Sequence, residues 1–266
     1  MAITGLPTRY TAGKPGMPSQ IIQGHPLANG LIASFDMREG AGLVLFDAAQ
    51  HHDANITASA GFVWNIGKLR QTGNSGDGAV FAVPTMGTTS GISFSVEVLI
   101  RAEALTRGYQ SLVVTSGGSA GLFVLSSGKI SIYTGSDHLS TVTVATGTAW
   151  YHLVWTANAA TSPMTHTLYV NGVLDNSFTA NQEIIFARLM ADSSGAESFQ
   201  GWMDHARIWN RVLSQAEAIS LYLNPFVFYG KASSRMLWDK PSTASIDSWG
   251  PITQQRAAPK HEVIAY

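Results

Sequence analysis

From Ile92 to Val98 apolar and polar side chains alternate at period two (Ile-Ser-Phe-Ser-Val-Glu-Val), the pattern of a strand with one buried face. On this reading Glu97 lies on the polar, solvated face. Short apolar runs follow at 112–114, 122–125, 130–133, 142–144 and 151–155, and Ser126-Ser127-Gly128 joins the second to the third. Thr167-Leu168-Tyr169-Val170 leads into Asn171-Gly172 and a further apolar pair, Val173-Leu174. Asn-Gly between apolar runs predicts a hairpin, because a type I′ turn needs positive φ at both central residues. A last strand runs roughly from Phe199 to Asn210 and carries Trp202, Met203, Ile208 and Trp209. Many strands, closely spaced turns and no intervening helix predict an all-β, two-sheet antiparallel sandwich over about 30–212. One short helix is expected at 214–223. Ser214-Gln215-Ala216-Glu217 forms a capping box, Ala218, Ile219 and Tyr222 supply an apolar stripe, and Pro225 ends the helix.

The flanks lose this periodicity. Residues 1–29 hold Pro7, Pro15, Pro18 and Pro26 and read as an extended N-terminal arm, neither strand nor helix. Residues 224–266 read as an extended C-terminal tail, with Pro241, Pro251 and Pro259 in a Ser/Thr-rich background. The tail also carries Phe226, Phe228, Leu237, Trp238 and Trp249, unlike disordered segments, which are poor in aromatics. These side chains need a surface, on this domain or on a neighbouring chain. With Tyr10 of the arm, they are the expected partner-binding residues.

Charge narrows the classes. Sixteen basic and 17 acidic residues leave a net charge of −1, and no basic cluster stands out, so neither nucleic acid nor an anionic membrane is expected as a partner. Charged residues are 12% of the chain, about half the roughly 25% usual in soluble domains, which suggests surface facing glycans or other chains. Cysteine is absent, which excludes disulfide scaffolds and thiol enzymes. The N-terminal stretch has no signal-peptide apolar core, and no apolar run approaches the ~20 residues that span a bilayer, so synthesis in a cytosol is expected.

Several segments resemble the concanavalin A-like, laminin-G-like jelly roll. The opening Gly30-Leu31-Ile32-Ala33-Ser34-Phe35-Asp36, with Glu39-Gly40-Ala41-Gly42 and Phe46-Asp47, is similar to that family's first strand and glycine turn. Residues 92–100, 147–154 and 168–173 are similar to inner strands, and 201–214 to the last strand and its lead into a capped helix. The likeness covers about 30–223 and implies a jelly roll there. Leu221-Tyr222-Leu223-Asn224-Pro225-Phe226-Val227-Phe228 is also similar to the ending of such domains in tailed-bacteriophage structural proteins.

The resemblance raises two kinds of chemistry. Some relatives cleave β-glucans with carboxylates in a Glu-x-Asp-x-x-Glu arrangement. Here only Glu97 and Glu103 stand nearby, with no central Asp, so no catalytic activity is expected. Relatives often hold calcium with an acid of the first loop and groups near the last strand, which implies Asp47 and Asp204 as ligands. The alternative is that Asp204 accepts hydrogen bonds from backbone amides. His51-His52 next to Asp53 reads as a solvated loop, since neighbouring imidazoles on a strand diverge. His152 reads as a hydrogen-bonded histidine of the sandwich. Asn65 near Trp64, and Asp137-His138 beside Tyr133, are conceivable sugar platforms.

The expected function is a structural virion protein, a capsid decoration or cement protein. Its arms would bind the major capsid protein or other virion proteins, as a homo-oligomer or multivalent array. The alternative is a glycan-binding adhesin domain of a tail fibre or baseplate, with carbohydrate as the partner; a third reading, a bacterial carbohydrate-binding module inside a larger enzyme, is disfavoured by the missing signal peptide.

Overall fold

Alternation becomes two stacked antiparallel sheets in the computed structural model, which describes Lys14 and residues 19–49, 52–57, 61–65, 67–72, 78–194 and 196–231. One sheet has eight strands in the order Asp137–Thr143, Lys129–Tyr133, Gly121–Leu125, Tyr109–Val114, Arg188–Leu189, Ala79–Val80, Ala54–Ile56 and Val44–Leu45. The other runs Val173–Ala180, Met164–Val170, Tyr151–Asn158, Phe94–Ala102, Gln200–Trp209, Lys68–Thr72 and Phe62–Asn65. Its eighth strand, Leu31–Phe35, pairs with the second half of Gln200–Trp209. The predicted hairpin is present: Asn171 and Gly172 have φ of 52° and 77°, the left-handed conformation a type I′ turn demands.

The core lies between the sheets. Phe94, Val96, Val98 and Ile100 point into it from one strand, and Leu153, Trp155, Leu168 and Met203 from others of the same sheet. Phe94 meets Trp155 edge-on at 5.0 Å and Phe186 at 5.4 Å, the geometry aromatic quadrupoles favour.

The second sheet is also covered on its outer face. Helix Gln215–Leu223 starts at Ser214 with both halves of the capping box formed. Beyond it, residues 224–231 fold back across the sheet. Strand Tyr229–Lys231 pairs with Ser19–Ile21, and a 3-10 turn at Pro26–Ala28 begins on the proline's preset φ. Ile21, Leu27, Trp209, Leu213, Leu221 and Phe228 form a second apolar cluster there, and Trp209 Nε1 donates to the Leu27 carbonyl at 2.8 Å.

This corrects the reading of both flanks as arms. Residues 19–29 and 224–231 contain regular structure and belong to the sandwich, because each supplies the strand partner the other lacks. Phe226 and Phe228, expected to bind a partner, are buried in their own domain, Phe228 completely. Tyr10, Leu237, Trp238 and Trp249 lie outside the described residues. Among the described residues no helix is long and apolar enough to cross a membrane.

Candidate functional site

Strand alternation points Ser95, Glu97 and Leu99 away from the core, and on strand Gln200–Trp209 it points His205, Arg207 and Trp209 the same way. The cover of residues 224–231 closes over them. Glu97 is therefore fully buried, which corrects the expectation of a solvated side chain. Its Oε1 faces His152 Nε2 and His205 Nε2, each at 3.0 Å, and its Oε2 accepts from Arg207 Nη1 at 3.1 Å. Arg207 also donates to the Pro225 carbonyl at 2.7 Å, to Asp36 Oδ1 at 3.0 Å and to Ser34 Oγ at 3.2 Å. Its guanidinium carbon lies 5.1 Å and 5.0 Å from the ring centres of Phe226 and Phe228. The tail is thus fastened by one buried cation.

Burial alone would raise the carboxyl pKa of Glu97, but the Arg207 guanidinium, His205 and the two imidazole hydrogen bonds hold it well below the carboxylate range. At Asp36 burial is likewise outweighed, chiefly by Arg207 and Arg38, and its pKa is lowered. Arg207 is pushed up: the two carboxylates overcome its own desolvation. Because both acids have folded values below their ordinary 4.5 and 3.8, they contribute stability above those values and lose it as pH falls through the folded ones. Calorimetry from about pH 6 to about pH 3 should show Tm falling steeply at the acid end, with a shallower fall in a Glu97→Gln variant.

Asp36 carries the network to the surface. Met37 takes a left-handed φ of 52° with its side chain fully buried, and Arg38 beyond it donates to Asp36 Oδ2 at 2.7 Å. Arg38 and Asp36 line a cleft of about 740 Å³ at the sandwich edge, with Gln20, Gln23, Glu39 and Phe46. Phe46 is 60% exposed, unusual for a phenylalanine. Glu39 Oε1 accepts from the Phe46 amide at 2.7 Å. Glu39 Oε2 and Arg38 Nε are buried without hydrogen-bond partners among the described residues. Burial pushes the Glu39 carboxyl up. The cleft thus sets an exposed aromatic residue beside polar side chains, the small polar set on an apolar wall that small-molecule sites use.

Asp47 also lines the cleft, and its carboxylate organises backbone. Oδ1 accepts from the Ser34 and Ala49 amides at 2.6 and 2.8 Å, and Oδ2 from the His52 amide at 2.9 Å. Asp204 has other partners: Oδ1 faces His205 Nδ1 at 3.0 Å, and Oδ2 is 3.6 Å from Lys14 Nζ. Glu97 and Glu103 are not brought together either. Glu103 accepts from Trp202 Nε1 at 2.5 Å and Arg70 Nε at 2.7 Å, on the side of Trp202.

The conceivable sugar platforms have partners of their own. Trp64 donates to the Gly42 carbonyl at 3.0 Å and packs on the core. Asp137 accepts from Tyr109 and Ser131, each at 2.6 Å, and the His138 ring stacks 3.6 Å from Phe178. His152 is hydrogen-bonded within the sandwich, as expected. His51 lies outside the described residues.

Sequence reasoning missed His205, Arg207, Lys14, Arg38, Glu39 and Phe46 as members of these sites. One signal was available: His205 and Arg207 alternate with apolar Ala206 and Ile208 on a strand flanked by Trp202 and Trp209. Charge framed by tryptophan on one face indicates a covered surface.

The two antiparallel sheets and short helix define a concanavalin A-like jelly-roll class of protein. The chain belongs to the Concanavalin A-like lectin/glucanases superfamily, whose laminin G model matches residues 73–219. No curated protein matches the chain. Among solved structures it is similar to the Trypanosoma rangeli sialidase, with 18% identity and a TM-score of 0.57 over 75% of this chain and 33% of that one. The chain thus spans about a third of the sialidase's length. It is similar to domain 4 of AbnA, an extracellular arabinanase from Geobacillus stearothermophilus solved with arabinotriose. There identity is 14% and the TM-score 0.54, over 72% of this chain and 98% of that domain. The binding domain of Paraclostridial Mosquitocidal Protein 1 is similar at 18% identity and a TM-score of 0.55, over 74% of this chain and 53% of that one.

These likenesses correct one expectation. Absence of catalysis was expected from the missing central Asp between Glu97 and Glu103. About a third of the sialidase chain shares the fold, so the fold does occur within an enzyme of glycan chemistry, and inactivity does not follow from that spacing.

Proposed function

We propose that this chain is a carbohydrate-binding domain whose site is the cleft at Arg38, Glu39 and Phe46. The observation that carries the reading is the exposed Phe46 in a cleft also lined by Gln20, Gln23, Arg38 and Glu39. A pyranose or furanose ring has an apolar C–H face that stacks on an aromatic, and hydroxyls that both donate and accept. It would stack on Phe46 and hydrogen-bond the polar side chains of the wall. The arabinanase domain solved with arabinotriose, a structure of the same fold, lends support.

This reading takes precedence over capsid decoration. Phe226 and Phe228, the two aromatic anchors of that role within the described residues, face inward. An adhesin on a phage tail would use the same cleft.

The test is a screen of the full chain against immobilised oligosaccharides, followed by titration calorimetry on the best binder. Phe46→Ala should weaken that binder by roughly tenfold or more while leaving Tm nearly unchanged, since an exposed ring contributes little to folding. Unchanged affinity in Phe46→Ala would place the sugar elsewhere and end the proposal.

A further inference from the structure

Strand Gln200–Trp209 changes partner along one edge. Gln200 to Met203 pair with Lys68–Thr72, whereas Ala206 to Trp209 pair with Leu31–Phe35. Asp204 stands at the crossover, at the register shift between Met203 and His205 opposite Phe94–Ala102. Three residues border this fork outside the paired registers: Asp204 itself, Asp36 just past one strand and Gly67 just before the other. Their backbone carbonyls converge on a single group, the ammonium of Lys14, which donates to all three. Asp204 Oδ2 lies 3.6 Å from the same nitrogen, and the Lys14 side chain is only 14% exposed. Gly67 is built for this approach. Its φ is +68°, and a Cβ there would lie 3.2 Å from Lys14 Cδ.

Backbone carbonyls joined by a carboxylate are the ligand types hard divalent cations take, with water completing the shell. An ammonium has three hydrogens for three carbonyls and fills the same shell without a metal. The calcium expected through Asp47 and Asp204 does not fit here, because Asp47 is turned to amides and the oxygens around Asp204 already hold a cation. We propose that this fork is a cation site which the chain fills with its own Lys14. The Lys14 ammonium thereby stands where a calcium-type ion would otherwise sit, and the domain keeps its shape without one.

The test compares the full chain with a Lys14→Ala variant, in EDTA and in about 5 mM CaCl2, a concentration suited to weak extracellular-type sites. Scanning calorimetry reads Tm, and titration with CaCl2 reads binding. The native chain should show the same Tm in both solutions and no calcium binding. Lys14→Ala should lose roughly 5 °C in EDTA, recover most of it in calcium and bind one ion per chain. Should the variant not fold in EDTA, circular dichroism should show it folding when calcium is added. A native chain that binds calcium and gains stability overturns the proposal. So does a Lys14→Ala chain with unchanged Tm, or one whose defect calcium does not repair.

Discussion

Replacing Glu97 by alanine should lower the unfolding free energy by about 3–5 kcal/mol, the cost of removing one partner of a buried ion pair. The loss arises from what is left behind. Arg207 would remain in a fully buried site with the Asp36 carboxylate but without its second one, and two imidazoles would lose an acceptor. Domains of ordinary stability have about 5–15 kcal/mol in total, so this one side chain carries a large fraction of it. Arg207→Met should be costly as well, because it releases Pro225 and the cation–π contacts to the tail aromatics. The double variant should cost less than the sum, since each change removes the charge that the other leaves unpaired. Urea unfolding of the three variants measures this. A loss below about 1 kcal/mol for Glu97→Ala would show that the carboxylate is hydrated in solution.

A chain beginning at Gly30 should lose about 3–6 kcal/mol. It lacks Ile21 and Leu27, both buried in the outer cluster, and each such side chain is worth about 1.5–3 kcal/mol. It also removes the carbonyl that accepts from Trp209 Nε1 and the strand partner of Tyr229–Lys231. The fold should persist, with a Tm lower by roughly 10 °C or more and new binding of a hydrophobic dye at the uncovered Trp209 face. A Tm equal to that of the full chain would mean that residues 19–29 do not pack as described.

Much of the sandwich was legible from local pattern. Alternation at 92–98 identified the core-facing side chains, Asn171-Gly172 marked its hairpin, and Ser214 to Glu217 marked the helix start. What misled was the polar face. Serine, glutamate and histidine opposite a core look like a solvated surface, and only a cover arriving from another part of the chain shows otherwise. Glu97 and Arg207 are 110 residues apart, and Lys14 and Asp204 are 190 apart. Contacts of that range leave no periodic trace. The aromatics after the helix did signal a need for burial, but composition cannot say against which surface. Phe226 and Phe228 were therefore assigned to a partner when their own sheet receives them. Arg38, Glu39 and Phe46 stood inside or beside the segments that carried the family likeness. The sequence does not show that Phe46 stays exposed, because an isolated phenylalanine there reads as core.

Mapping the bound sugar tests the central claim most directly. The oligosaccharide selected by the screen would be titrated into isotope-labelled full-length chain while backbone amide shifts are followed by NMR. Binding in the cleft predicts saturable shifts clustered at Gln23, Arg38, Glu39, Phe46 and Ala49. Shifts concentrated instead around Trp150 and Trp202, where the Arg101 guanidinium lies over both rings, would contradict it.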